Sequence, residues 1–254
     1  MPNAQGGFPH LKRIISRLRR SCPWDREQTH RSLASNLLEE CYEALDAIDQ
    51  GDPARMREEM GDILMQVLLQ AEIAAGEGEF TIDDVIKDTS AKLVHRHPHI
   101  FGSARAGSPQ DVLDNWDRLK QERKGGSLLD GVPRHLPALA QSQELQSRAA
   151  RAGFDWKDME GVLDKVSEEV DELRRAASPQ EREDEFGDLL FSLVNLCRHL
   201  EIDGETALRR TTGRFRQRFN YMEAVCQGRG QRLEHLSMDE LESLWQEAKQ
   251  QVDR

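Results

Sequence analysis

Apolar residues recur at helical spacing along most of the chain. Leu37, Leu38, Cys41, Leu45 and Ile48 form one stripe, which Gln50-Gly51-Asp52-Pro53 stops. Pro53 suits the first turn of a following helix, which the pattern carries to about Ala75. That helix is polar at its start and then apolar nearly all round, with Ile63-Leu64-Met65 and Val67-Leu68, as the central helix of a bundle should be. The pair of elements returns later. Val166, Val170 and Leu173 make the stripe, Ser178-Pro179 the break, and a helix to about Leu200 carries Leu189-Leu190-Phe191 and Leu193-Val194. No run alternates with period two alongside Val, Ile and Thr enrichment, so the chain is expected to be all-α, essentially without sheet. Long helices joined by short turns pack as antiparallel hairpins in bundles.

The two hairpins are copies of one unit. The first carries Glu39, Glu40 and Glu43, then Glu59 and Asp62; the second carries Glu168, Glu169 and Glu172, then Glu185 and Asp188. Each therefore reads E-E-x-x-E followed by E-x-G-D. The order continues beyond the acids: Lys92 and Arg96 are four apart, as are Arg214 and Arg218, and Trp116 precedes Lys120 as Trp245 precedes Lys249. Between the copies, residues 125–137 are rich in Gly and Pro and read as a linker, giving domains at 1–124 and 138–254.

Composition narrows the classes. Charged residues are 32% and hydrophobic residues 37% of 254, the balance of a soluble, helix-rich protein rather than a collagen or disulfide scaffold. The longest apolar stretches fall well short of the roughly 20 residues that cross a bilayer. The N-terminus lacks the pattern of a signal peptide, so the expected location is the cytoplasm, with no membrane partner. Cys22, Cys41, Cys197 and Cys226 are widely separated and are expected to be reduced thiols. A net charge of −11 argues against a nucleic acid polymer as principal partner. A small phosphorylated substrate remains open, because a divalent cation reverses the local field.

The acids are clustered, and the clustering carries chemistry. Residues three and four apart share a helix side, so Glu39, Glu40 and Glu43 crowd together, as do Glu59 and Asp62 on the neighbouring helix. When the hairpin closes, four or five carboxylates converge beside an apolar core and raise one another's pKa unless a cation sits between them. Mg²⁺ is the simplest such cation, and Mn²⁺ fits the same oxygen ligands. A ferritin-like di-iron site needs Glu-x-x-His on two helices, and the only such spacing, Glu27 to His30, lies outside both acidic hairpins.

Each element also has a plainer reading. One E-E-x-x-E alone is a solvated helix face; a matched second copy, and a helix-weakening glycine beside an acid facing an apolar run, favour a site. The basic pairs fit phosphate contact or ordinary contacts with nearby acids. Trp116 and Trp245 suit a core as well as a stacking platform. His95, His97 and His99 in HRHPH have no accompanying acid, and Pro98 breaks any helix there, which favours a structural or substrate-contact role.

Together the motifs resemble the MazG family of all-alpha nucleoside triphosphate pyrophosphohydrolases, in its two-domain form. The likeness covers nearly the whole chain: besides the acidic motifs it includes CPWDREQTH at 22–30, KLVHRHPHIFG at 92–102, NWDRLKQER at 115–123 and GVPRHLPALAQSQELQSRAARAGFDW at 131–156. It ends with GDLLFSLVNLCRHL at 187–200 and RFRQRF at 214–219. The resemblance implies tandem bundles of four-helix type, an intertwined homodimer, and hydrolysis of ribo- and deoxynucleoside triphosphates between the alpha and beta phosphates. It implies that Glu169, Glu172, Glu185 and Asp188 hold Mg²⁺, with Glu168 supporting them or orienting water. It also implies that Arg214 and Arg218 take phosphate while Trp245 and Lys249 close the nucleotide pocket. In such relatives the C-terminal unit does the chemistry. Here the N-terminal copy keeps every acid, so Glu39, Glu40, Glu43, Glu59 and Asp62, with Lys92, Arg96, Trp116 and Lys120, form a second candidate site. The alternative from another class is a non-catalytic helical scaffold or regulatory module that binds Mg²⁺ or nucleotide without turnover.

Overall fold

The computed structural model of the protein describes residues 6–105, 107–108, 111–112 and 127–252. Among them there is no strand. The chain divides into two compact units, Met1–Gly125 and Gly126–Arg254.

In the first unit α1 (Phe8–Ser21), α2 (Pro23–Glu27), α3 (Ala34–Gln50), α4 (Pro53–Glu77), α5 (Ile82–Arg96) and α6 (Pro98–Phe101) follow in order. The acidic hairpin is α3–α4, and local chemistry makes its turn. Gly51 ends α3 in the left-handed region at φ 64°, where a side chain would be strained. Asp52 then caps α4, its Oδ1 accepting from the backbone N–H of Ala54 at 3.0 Å and Arg55 at 3.1 Å. The core lies on one side of α4, where Leu68, Leu69 and Ile73 pack with Ile15 of α1, Leu33 and Ile82. Burying each such side chain contributes about 1.5–3 kcal/mol.

In the second unit the helices are α7 (Ala138–Arg151), α8 (Met159–Arg175), α9 (Pro179–His199), α10 (Gly204–Gly228) and α11 (Met238–Val252), with a 3₁₀ turn at Leu233–His235. The acidic hairpin is α8–α9. Ser178 and Glu181 form a reciprocal capping box at the start of α9, and Pro179 occupies its first turn. Gln143 of α7 ties the end of α9 to α10, donating to the Ile202 carbonyl at 2.8 Å and accepting from Gly204 N–H at 2.9 Å. A Cβ at position 204 would lie 3.3 Å from both Cys197 Sγ and Gln143 Oε1, so that close junction favours glycine. A separate core joins α10 to α11 through Met222, Cys226, Leu244 and Ala248.

The acidic hairpins begin and end within a few residues of the bounds that the pattern predicts. The central helices differ from expectation: they are not covered all round. Met60 and Leu64 on α4, and Phe186 and Leu190 on α9, remain exposed, because α1 and α7 shield only one side of each hairpin. The Gly- and Pro-rich stretch is also partly built in. Ser127 N–H donates to Asp130 Oδ2 at 2.8 Å, and the Asp130 carbonyl accepts from Arg148 of α7 at 2.7 Å, so residues 127–130 pack with the second unit. No described helix is long and apolar enough to cross a membrane.

Candidate active site

Hairpin closure brings acids from both helices to one place in each unit. Carboxylate oxygens of Glu40, Glu59 and Asp62 lie within 4.8 Å of one another, and those of Glu169, Glu185 and Asp188 do the same in the second unit. Glu39 and Glu43, and likewise Glu168 and Glu172, stand outside these triads. Their charges still act on them. Burial, then Asp62, Glu43, Glu59 and Glu39, push the Glu40 carboxyl above its ordinary value. The Glu59 charge, followed by burial, raises Glu43, which also shares a hydrogen bond with Glu59. Burial and then Glu172, Glu169, Asp188 and Asp184 raise Glu185.

Each cluster has one buried carboxylate with a cation one helical turn before it. In the first unit it is Glu59, paired with Arg55 Nε at 3.3 Å. In the second it is Glu169, only 4% exposed, which holds Lys165 Nζ at 2.7 Å; the same ammonium reaches the exposed Glu168 at 3.1 Å. The bond to Glu169 leads the interactions that keep Lys165 protonated above its ordinary range. The other oxygen of Glu169, Oε2, is buried with no hydrogen-bond partner. Such orphans are rare in native interiors. An all-oxygen triad with one unpaired buried oxygen matches what a hard divalent cation takes as ligands. Neither motif glycine is required by packing here: a Cβ on Gly61 or Gly187 would meet nothing within 4 Å.

The basic and aromatic residues form a second group, on α10 and α11. Arg218 lies 5.5 Å from the centre of the Trp245 ring, and Phe215 packs on the same ring at 5.3 Å. Trp245 is thus partly a core residue of the α10–α11 pair, with a cation on its face. Arg214, one turn earlier, is exposed and donates to Thr211 at 2.9 Å. Lys249 is half-buried one turn beyond Trp245. In the first unit Lys92 and Arg96 lie in the last two turns of α5; Trp116 and Lys120 fall outside the described residues. Of the HRHPH histidines, His97 serves the end of α5, its Nδ1 contacting the Leu93 carbonyl at 2.7 Å. His30 meets Glu77 and Glu79 rather than forming a Glu-x-x-His site with Glu27.

Lys165 and Arg55, which pair with the buried acid of each cluster, were not among the residues the motifs singled out. Their signal was present, since each stands four residues before its acid. What distinguishes them from an ordinary helix pair is the burial of the acid, which spacing does not reveal.

The first-unit motifs match the family model of the MazG nucleotide pyrophosphohydrolase domain over residues 28–101. A Thermotoga maritima protein named nucleoside triphosphate pyrophosphohydrolase/pyrophosphatase MazG is 45% identical over 247 residues, covering 95% of both chains. An Escherichia coli K12 protein named nucleoside triphosphate pyrophosphohydrolase is 42% identical over 253 residues, covering 95% of this chain and 96% of its own. Among solved structures, a mazG-related protein from Thermotoga maritima aligns with 44% of this chain and 98% of its own, at 29% identity and a TM-score of 0.40. With near-complete relatives at 42% and 45% identity, the chain belongs to the MazG nucleotide pyrophosphohydrolase family and is a hydrolase of that kind.

Proposed function

We propose that the protein hydrolyses ribo- and deoxynucleoside triphosphates between the alpha and beta phosphates, giving a nucleoside monophosphate and pyrophosphate, with Mg²⁺ as cofactor and Mn²⁺ as a substitute. The catalytic copy is the second, and the observation that carries this choice is its Glu169, Glu185 and Asp188 cluster with the unpaired buried Glu169 oxygen. Glu169, Glu185 and Asp188 hold the cation, and Glu172 completes the set from the same helix side as Glu169. When bound, the cation supplies Lewis acidity to the phosphate and lowers the pKa of water at the site. Glu168, exposed and outside the triad, accepts the proton of the attacking water, and Lys165 fixes where that carboxylate points. Arg214 and Arg218 balance the charge of the departing pyrophosphate, while Trp245 and Lys249 close over the nucleotide.

The first copy keeps the acids but serves mainly as a dimerising or regulatory unit. A homodimer accounts for the exposed apolar side chains of α4 and α9, which a second chain would cover. The setting that fits is the cytoplasm, where the enzyme would control the nucleotide pool or remove unwanted triphosphates.

The test is product identity. The chain is incubated with a panel of nucleoside triphosphates with Mg²⁺, with Mn²⁺ or with chelator, and products are separated by ion exchange. Monophosphate plus pyrophosphate, dependent on the cation, is the expected result. Diphosphate plus orthophosphate contradicts it, and binding without turnover favours the scaffold reading.

A further inference from the structure

Among the described residues, three groups of side chains bring metal-type ligand atoms within 4.8 Å of one another, and one of them contains nitrogen: His30 with Glu77 and Glu79. His30 lies in the link between α2 and α3, Glu77 ends α4 and Glu79 follows it. The helix end between the acids is fixed. Gly78 takes φ 75°, its N–H donates to the Ala75 carbonyl at 3.3 Å, and Glu79 N–H donates to the Ala74 carbonyl at 2.9 Å. At 1.5 Å per residue, Glu77 is about 22 Å along α4 from Asp62, so this cluster is distinct from the acid triad of the same unit.

The histidine ring is set for an ion. Gln70 Nε2 donates to the His30 carbonyl at 3.3 Å, and because a carbonyl only accepts, the amide cannot be turned over. Gln70 Oε1 therefore accepts from His30 Nδ1, and the neutral imidazole carries its lone pair on Nε2. That nitrogen has no hydrogen-bond partner, and Glu77 Oε2 stands 3.9 Å from it. A lone pair facing two carboxylates is repelled by both unless a cation lies between them. Ligating histidines have this arrangement, with one ring nitrogen held by an outer partner and the other left for the metal.

Geometry and access both permit an ion. Two ligands about 2.1 Å from one Zn²⁺ are about 3.4 Å apart at the tetrahedral angle, so closing on it takes about half an ångström. Nε2 has no free surface of its own, but its ring is 40% exposed and Glu77 is 55% exposed. An ion caught by the surface carboxylates is carried onto Nε2 by a side-chain rotation, without any wall opening. One imidazole with two carboxylates suits Zn²⁺, whereas the all-oxygen triads suit Mg²⁺.

We propose that His30, Glu77 and Glu79 bind one Zn²⁺, with Gln70 as the positioning residue of the histidine and water as the fourth ligand. The ion clips the link before α3 to the end of α4. The site is separate from the proposed hydrolytic one and does not rest on it.

The experiment titrates the full chain with Zn²⁺ in excess Mg²⁺, which keeps the acid triads occupied, and reads affinity by competition with a chromophoric chelator. Wild type is expected to bind one Zn²⁺ per chain that His30→Ala lacks, and Glu79→Gln and Gln70→Leu are each expected to weaken that binding about tenfold or more. In imidazole ¹⁵N spectra Zn²⁺ is expected to shift His30 Nε2 and leave the proton on Nδ1. Saturating Zn²⁺ is expected to raise the Tm of wild type by about 3 °C and not that of His30→Ala. Equal Zn²⁺ binding by wild type and His30→Ala overturns the inference. So does a loss in His30→Ala with no change in Glu79→Gln and Gln70→Leu, since a lone surface histidine would then be the binder. An Nε2 that responds to pH and not to Zn²⁺ overturns it too, because a proton would then be the cation. If His30→Ala fails to fold, Glu79→Gln, at an exposed position outside the helices, decides by the same readouts.

Discussion

The two acidic hairpins carry five carboxylates in the same order, yet each buries a different one. In the first it is Glu59, on the hairpin's second helix; in the second it is Glu169, on the first helix. Each buried acid then has its cation four residues earlier, Arg55 in one unit and Lys165 in the other. A desolvated carboxylate needs a partner, so the cation follows the burial rather than a fixed place in the motif. The corresponding positions confirm the exchange. Asn36 stands where the second copy has Lys165, and Glu181, where the first has Arg55, is occupied with capping α9. The consequence is chemical. Lys165 bridges two acids, whereas Arg55 bonds Glu59 and, at 3.2 Å, Gln50 at the hairpin turn.

The largest effect that would break this comparison is on turnover. Asp188→Asn is expected to lower kcat by about 100-fold or more, and Asp62→Asn to change it by less than about twofold, measured as pyrophosphate release. Equal losses would make both copies catalytic. A middle-sized effect concerns the cations. In chelator, Lys165→Met is expected to cost about 1–2 kcal/mol in urea unfolding, because it strands the buried Glu169. Arg55→Met should cost less, below about 1 kcal/mol, since its bond is longer and Glu59 is less buried than Glu169. Adding Mg²⁺ should restore much of the Lys165→Met loss by giving Glu169 another partner.

The smallest effect is on pH dependence. Glu40, Glu43 and Glu185 have folded values above the ordinary 4.5, so between 4.5 and those values the folded chain binds more protons than the unfolded one. Stability in chelator should therefore rise as pH falls through that window. Below 4.5 the slope should reverse, because the caps Glu181 and Glu240 are held below their ordinary values and lose their stabilising charge on protonation. Mg²⁺ should flatten the upper limb, the cation replacing the proton. Melting temperatures across pH, with and without Mg²⁺, check the sign; a rise in stability with pH above 4.5 in chelator would contradict the crowding of these acids.

Much of the fold was legible because its causes are local. Gly51-Asp52-Pro53 and Ser178-Pro179 place a helix stop, a cap and a helix start within a few residues, and the hairpins form there. That acids of both helices converge was legible for a related reason: helical spacing fixes which side each carboxylate takes, and a short turn brings the two acidic sides together; which three come within reach of one another was not. The exposed side of α4 and α9 was not, since apolar sequence records what prefers burial and not whether one chain can supply the cover.

The sequence by itself determined the helices, their duplication and the convergence of acids from both helices of each hairpin; only the tertiary structure singled out Glu40 with Glu59 and Asp62, and Glu169 with Glu185 and Asp188. Only the tertiary structure decided which acid in each group is buried, which cation answers it and what lies beside it. The bond from Gln146 to Phe191 spans 45 residues and the pair of Asp155 and Arg198 spans 43. No periodicity links residues so far apart. They meet because α7 and the turn after it pack on α9, and desolvation, which sets the strength of every charge in the site, exists only after that packing is complete.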